Sequence, residues 1–253
     1  MPTLAEAQAV VRSIHALAGG PDVRRKAAAR PLARVHATEA TELLQHFIDL
    51  TRAGWEPARC VMGSVVAALA HEAEEIPHAA ALRRLAGVQD LPLVEDLFAD
   101  GPPAQEMPED AAARSDAKLF TESLGHLKSK ARLTRDPDEM SRLAAAANAS
   151  VVRQLLLNPR LTEAVVVRIA ARRPARPEPL MEIWRSPRWF ARHSVKRALA
   201  FNPYLPPEVG SKIVPLLTAT DWRELAEDSA VHESIRDQAR QLLRPPTPSD
   251  GSS

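Results

Sequence analysis

Val151-Val152-Arg153-Gln154-Leu155-Leu156-Leu157-Asn158-Pro159-Arg160-Leu161-Thr162-Glu163-Ala164-Val165 is the stretch on which the reading of this chain turns. Apolar residues stand at helical intervals up to Leu157, Asn158-Pro159 interrupts them, and a second helical run opens after Leu161. Val195-Lys196-Arg197-Ala198-Leu199-Ala200-Phe201-Asn202-Pro203-Tyr204-Leu205-Pro206-Pro207-Glu208-Val209 lies over it at an offset of 44 residues, from Asn158 to Asn202. Agreement at Val151/Val195, Arg153/Arg197, Leu155/Leu199 and Val165/Val209 argues against two coincidental turns. The expected physical reason is that Asn tolerates left-handed or turn backbone at a helix end, Pro stops continuation, and the Leu two residues after Pro packs back onto the turn. Thr162 then caps the next helix, and Pro206-Pro207 starts its equivalent. A weaker copy runs from Leu225 to Ile235, with Asp228 in the Asn place and Ser229 in the Pro place. A still weaker one runs from Arg173-Pro174 through Leu180.

Proline limits the helices on either side. A proline inside a helix costs about 3 kcal/mol, and ten of them fall between Pro137 and Pro215. Short helices punctuated at such intervals are what stacked helix-turn-helix units look like. Elsewhere the apolar residues also recur at i, i+3 or i+4. Five Phe, one Tyr and four Trp leave little from which to build strands. The chain therefore reads as all-α. Thr3-Leu4-Ala5-Glu6 is a capping-box pattern opening a helix that stops at Gly19-Gly20-Pro21. Further helices fit 37–53, 56–76, 78–87 and 91–99. Asp136-Pro137-Asp138-Glu139 is another start, with Asp136 as cap, and Asp221-Trp222-Arg223-Glu224 repeats the cap and acid spacing.

The pattern Leu-x-x-Asn-Pro-x-Leu-Thr/Pro-x-x-Val resembles HEAT-like and leucine-rich-repeat-variant α-solenoids, over roughly residues 118–244. More narrowly, Ser123-Leu124-Gly125-His126-Leu127-Lys128-Ser129-Lys130-Ala131-Arg132, then Asn158 to Glu163, then Arg168 to Pro174, resembles an uncharacterised group of helical proteins in deltaproteobacteria. That group carries no activity over to this chain. The resemblance implies a HEAT-like helical-repeat C-terminal half beside a helical N-terminal region at 1–100. The acidic, proline-bearing stretch 101–117 reads as a linker, and 245–253 as a disordered tail by composition.

The N-terminus lacks the basic and apolar segments of a secretory signal, so the cytoplasm is the expected compartment. The most apolar run, Val61 to Ala70, is about half the ~20 residues of a membrane span. Cys60 is the single cysteine. Among Val61 and Met62 it reads as a small buried hydrophobe and not as an activated thiol.

Formal charge is +1 overall but unevenly spread. Residues 1–117 hold 11 basic and 17 acidic side chains, and the remainder hold 22 and 15. Between 151 and 200, eleven basic residues face only Glu163, Glu178 and Glu182. Arg188, Arg192 and Lys196 stand at i, i+4 and i+8, which on one helix is a single face, with Val195, Ala198 and Leu199 toward the core. Arg168 and Arg172 make a similar pair. Together with Trp184 and Trp189 these form the candidate binding face. Arginine forks hold phosphate or carboxylate, and adjacent aromatics can stack or serve as core. The expected partner is a protein, acidic in character or the chain's own acidic half, with nucleic acid or another polyanion as the alternative.

Signs of catalysis are few. The chain has no phosphate-binding glycine loop, no His-Glu-x-x-His and no cysteine pair. His71-Glu72 and His232-Glu233 match the dipeptides that some helical-repeat di-iron hydroxylases use as ligands, but four at regular positions are expected there and the two contexts here differ. The expectation is a non-enzymatic adaptor or scaffold without cofactor or metal.

Overall fold

The computed structural model describes residues 2–70, 76, 78–111, 122–145 and 148–245, and among these every regular element is a helix. The elements are α1 (Leu4–His15), α2 (Pro21–Arg34), α3 (Ala37–Arg52), α4 (Glu56–Leu69), α5 (Ala79–Val88) and α6 (Pro92–Glu95), the last running into a 3-10 turn at Asp96–Phe98. Then come α7 (Leu124–Leu133), α8 (Pro137–Ala145), α9 (Ala149–Leu156), α10 (Glu163–Ala170), α11 (Pro177–Trp184) and α12 (Pro187–Phe190). The chain continues through α13 (His193–Ala200), α14 (Pro207–Ile213) with a 3-10 turn at Val214–Leu216, α15 (Ala219–Glu227) and α16 (Glu233–Leu243). No described helix is long and apolar enough to cross a membrane.

Packing groups the described residues into two compact units, and neither is one continuous stretch. The first draws on Met1–Ala99, Ser211–Glu227 and Ser234–Ser253; the second on Asp100–Gly210 and Asp228–Glu233. The grouping therefore differs from a linear division at 101–117. The Val214–Leu216 turn packs on α3 and α4, which draws the following chain into the first unit. In the second unit the Gln105 amide donates to the Pro203 carbonyl at 3.0 Å, which ties part of the proline-bearing stretch down. Residues 112–117 of that stretch, and 246–253 of the compositional tail, lie outside the described residues.

In the first unit, α1 starts where its capping box says it should. Thr3 Oγ1 accepts from the Glu6 amide at 3.3 Å, and Glu6 Oε2 accepts from the Thr3 amide at 2.7 Å. The Thr3 amide, together with the Thr3 hydroxyl donating to the same Oε2 at 3.1 Å, holds the Glu6 carboxyl below its ordinary range. The core gathers Leu32, Leu44, Phe47, Ile48, Met62 and Leu69, all fully buried. Helix α2 had no counterpart in the sequence reading. Arg24-Arg25-Lys26 and the interior Pro31 obscure a short apolar stripe of Ala28, Ala29 and Leu32 that is buried nonetheless. Two expectations are corrected. Cys60 is exposed, because the buried face of α4 is set by Ala58, Val61, Met62, Val65 and Val66, and position 60 points away from it. Asp221 does not cap α15; Thr218 does, with its Oγ1 accepting from the Asp221 amide at 3.3 Å while Asp221 Oδ2 accepts from the Thr218 amide at 2.9 Å.

The second unit is built mostly from helices of eight to ten residues, with the one-turn α12 among them, lengths that are unstable in isolation and depend on packing. Helix α9 packs between α7 and α11, α8 packs on α9 and α10, and α10 packs on α13. Buried asparagines join these helices. Asn158 Nδ2 donates to the Ala131 carbonyl at 2.9 Å and the Thr134 carbonyl at 3.0 Å, both at the end of α7, while its Oδ1 accepts from the Arg160 amide at 2.9 Å. Asn202 does the same one hairpin later. Its Nδ2 donates to the Ala170 and Arg172 carbonyls at 2.7 and 3.0 Å, and its Oδ1 accepts from the Tyr204 amide at 3.0 Å. The expected left-handed backbone is absent: among the described non-glycine residues only Asp90 has a positive φ. Asn is there for its carboxamide. Leu161 and Leu205, after the turns, are buried, each 4% exposed. Thr162 sits at the cap position of α10 but makes no side-chain cap bond. Asp228 keeps the turn, its Oδ1 accepting from the Ala230 amide at 3.0 Å, but a carboxylate has no amide hydrogen to donate onward.

Two outcomes follow from this packing. Asn158→Ala and Asn202→Ala each strand buried carbonyls and a turn amide, and each lowers unfolding free energy by about 2–4 kcal/mol in urea titrations. Asn158→Asp, which restores the acceptor but not the donor, is no better than alanine. In the first unit, burial foremost, followed by Glu95 and Asp237, pushes the Asp96 carboxyl from 3.8 up to about 7. Between those values the folded chain holds a proton that the unfolded chain has lost, so stability falls as pH rises through the window and stays low above it. Asp96→Asn flattens that slope and stabilises the protein by about 1–3 kcal/mol near pH 8, read from urea midpoints at about pH 4 and 8.

Candidate functional site

The raw charge count between 151 and 200 divides into neutralised and open parts. Arg153 grips Glu182 side-on, Nε donating to Oε2 at 2.7 Å and Nη2 to Oε1 at 2.6 Å. Arg185 adds a longer contact to the same carboxylate at 3.6 Å, and Glu182 is buried beneath them. The Glu182 bond also raises the Arg153 pKa. Arg192 Nε lies 3.8 Å from Glu163 Oε2. These charges are spent within the fold.

The expected stripe of Arg188, Arg192 and Lys196 does not lie on one helix. Arg188 belongs to the one-turn α12, which starts at Pro187. Arg192 is the extended residue preceding α13, and Lys196 is inside α13. The break at Ala191-Arg192 removes the i, i+4, i+8 geometry. Arg188 lays its guanidinium 4.4 Å over the Trp189 ring and sends Nη1 to within 3.4 Å of the Asn158 carbonyl. Trp189 itself is in the core, 4% exposed, with Nε1 donating to the Leu156 carbonyl at 2.9 Å, the end of α9. Trp184 is half-buried and meets Phe190 edge-on, with centroids 4.5 Å apart and planes at 79°. Lys196 Nζ sits 5.9 Å from the Phe190 centroid. The aromatic residues of this region are thus engaged with their own neighbours.

Arg168 and Arg172 have a different setting. With Arg173 they line a depression of about 410 Å3 whose other walls include Ser141, Ala145 and Ile169. Arg168 lies in the last turn of α10 and donates from Nη1 to Ser141 Oγ at 3.2 Å. Arg172 lies just beyond the helix, and its Nη1 donates to the Ala145 carbonyl. Arg173 donates from Nη2 to the Phe201 carbonyl. Among the described residues none of the three is paired with a carboxylate, and no acidic side chain lines the depression. Burial lowers the Arg172 pKa, but a guanidinium remains charged at any physiological pH. The arrangement is a concave, permanently positive surface with three anchored guanidinium groups.

Sequence spacing put Arg168 and Arg172 together; it did not single out Arg173. The adjacent Arg172-Arg173 pair was visible, but Ser141 and Ala145, 27 residues before Arg168 and Arg172, carry no local signal. His71-Glu72 lies outside the described residues, and His232 stands in the turn before α16. Among the described residues no group of three or more His, Cys, Asp or Glu side chains is placed to hold a metal ion. No family, curated protein or solved structure matches this chain.

The placement of Trp189 has a measurable consequence. Trp189→Phe keeps an aromatic ring but loses the indole N–H and part of the bicycle's volume, orphaning the Leu156 carbonyl and lowering stability by about 1–3 kcal/mol. Trp189→Ala also opens a cavity and costs about 3–5 kcal/mol. Urea denaturation followed by far-UV circular dichroism checks both.

Proposed function

We propose that this chain is a non-enzymatic helical-repeat adaptor that binds an acidic protein partner through the arginine-lined face of its second unit. The observation that carries the reading is the depression bordered by Arg168, Arg172 and Arg173, where three guanidinium groups converge without a carboxylate among the described residues. Folding places charges of one sign together only at an electrostatic cost, and an anionic partner offsets it. The repeat reading, of the HEAT-like α-solenoid kind, is supported by the 44-residue offset and by Asn158 and Asn202 making the same three side-chain bonds in their two hairpins. Stacked helix pairs of that kind present extended binding surfaces.

A protein partner is favoured over nucleic acid by the state of the aromatics. Stacking on bases requires open ring faces. Trp189 is buried, Trp184 and Phe190 contact each other, and Lys196 covers Phe190. The test compares wild type with Arg168→Glu/Arg172→Glu/Arg173→Glu as baits in nuclease-treated host extract, followed by binding of the purified captured protein to each. A protein retained by wild type and lost by the charge reversal supports the reading. Identical capture by both, or capture abolished by nuclease together with a steep loss of duplex DNA or RNA binding between about 50 and 200 mM salt, defeats it.

A further inference from the structure

The chemistry of the depression can be read one step further, resting on the adaptor reading above. An arginine can hold a carboxylate along either of two edges, and the side edge presents Nε–H and Nη2–H in parallel. This molecule uses that edge internally: Arg153 holds both oxygens of Glu182 with Nε and Nη2, at 2.7 and 2.6 Å. Arg168 and Arg172 are each anchored through Nη1 alone, to Ser141 Oγ and the Ala145 carbonyl. Among the described residues their Nε and Nη2 edges are uncommitted. Arg173, by contrast, spends Nη2 on the Phe201 carbonyl, which breaks its side edge.

We infer that the depression reads a pair of carboxylates on an extended acidic segment of the partner protein, Arg168 and Arg172 each gripping one carboxylate side-on. Arg173 contributes charge without a fork. The wall at Ala145 and Ile169 is apolar and takes the methylenes of the incoming glutamate or aspartate side chains. Anchoring through Nη1 removes much of the rotamer freedom that an exposed arginine loses on binding, so the forks are preorganised. The partly buried Arg172 gains more per contact than an exposed arginine, because its desolvation is already present in the free protein. The requirement is geometric: a point charge at either position does not replace a fork.

The experiment uses the full chain and a short fluorescein-labelled peptide of alternating glutamate and alanine, read by fluorescence polarisation at about 50 mM salt. Its companions are the matched glutamine peptide and a labelled DNA duplex. Wild type binds the glutamate peptide and not the glutamine peptide, and Arg168→Lys or Arg172→Lys weakens binding about tenfold or more although charge is kept. Arg173→Lys changes affinity by less than about threefold. Thermal melts by circular dichroism establish that each variant is folded. Wild-type affinity in folded Arg168→Lys/Arg172→Lys overturns the fork while leaving the acidic-partner reading in place. Failure of wild type to bind the glutamate peptide, or tighter binding of the duplex than of the peptide, overturns both.

Discussion

Helix ends are the physical problem that this fold has to solve, and a buried carboxamide solves it. The last carbonyls of a helix have no partner within that helix, and short helices have proportionally more of them. At the end of α7 the Ala131 and Thr134 carbonyls are taken up by Asn158, whose other atom simultaneously holds the turn between α9 and α10. Asn202 performs both tasks for the end of α10. A carboxamide is suited to this because one end only donates and the other only accepts. The result is a fixed register between neighbouring helices, set by hydrogen bonds where apolar packing alone would leave latitude to slide. Trp189 works in the same way at the end of α9, through its indole N–H to the Leu156 carbonyl.

That arrangement explains which parts of the fold were legible in the sequence. The Asn-Pro turns, the short helices, the buried Leu161 and Leu205 and the helical character of 37–52 all follow from local spacing. The reason assigned to the asparagines did not, because backbone conformation is a local property and the Nδ2 partners lie 24 to 32 residues earlier in the chain. Helix α2 was lost for the opposite reason: local signals spoke against it. Its three buried residues are enough once α4 packs across them, and its charges sit on the remaining faces. At Thr218 and Asp221 the pattern was real but one turn out of phase, since the same pair of residue types can be read as cap and acid or as acid alone.

The candidate site shows the same division between local and distant information. Charge composition pointed to residues 151–200, and spacing paired Arg168 with Arg172. Which arginines are neutralised could not be read, because Glu182 reaches Arg153 across 29 residues and Glu163 reaches Arg192 across a similar gap. Once those pairs are removed from the count, Arg168, Arg172 and Arg173 stand together without a carboxylate among the described residues. The aromatic residues that seemed suited to a binding face from their neighbours in sequence are spent on helix ends and on one another.

Holding the helices in register also shapes the arginine-lined depression. The Arg172 carbonyl is one of the two that Asn202 caps, so the same residue that gives its backbone to the joint gives its side chain to the depression. Its guanidinium is in turn fastened to the Ala145 carbonyl at the end of α8. Arg173, next in sequence, fastens to Phe201, the residue before Asn202. Arg172 is therefore held from both ends by the joints between helices, and its guanidinium inherits their rigidity. The entropic cost of ordering a long side chain is met largely in folding, where packing of the surrounding helices sustains it, and less of it would remain to oppose the carboxylate proposed above.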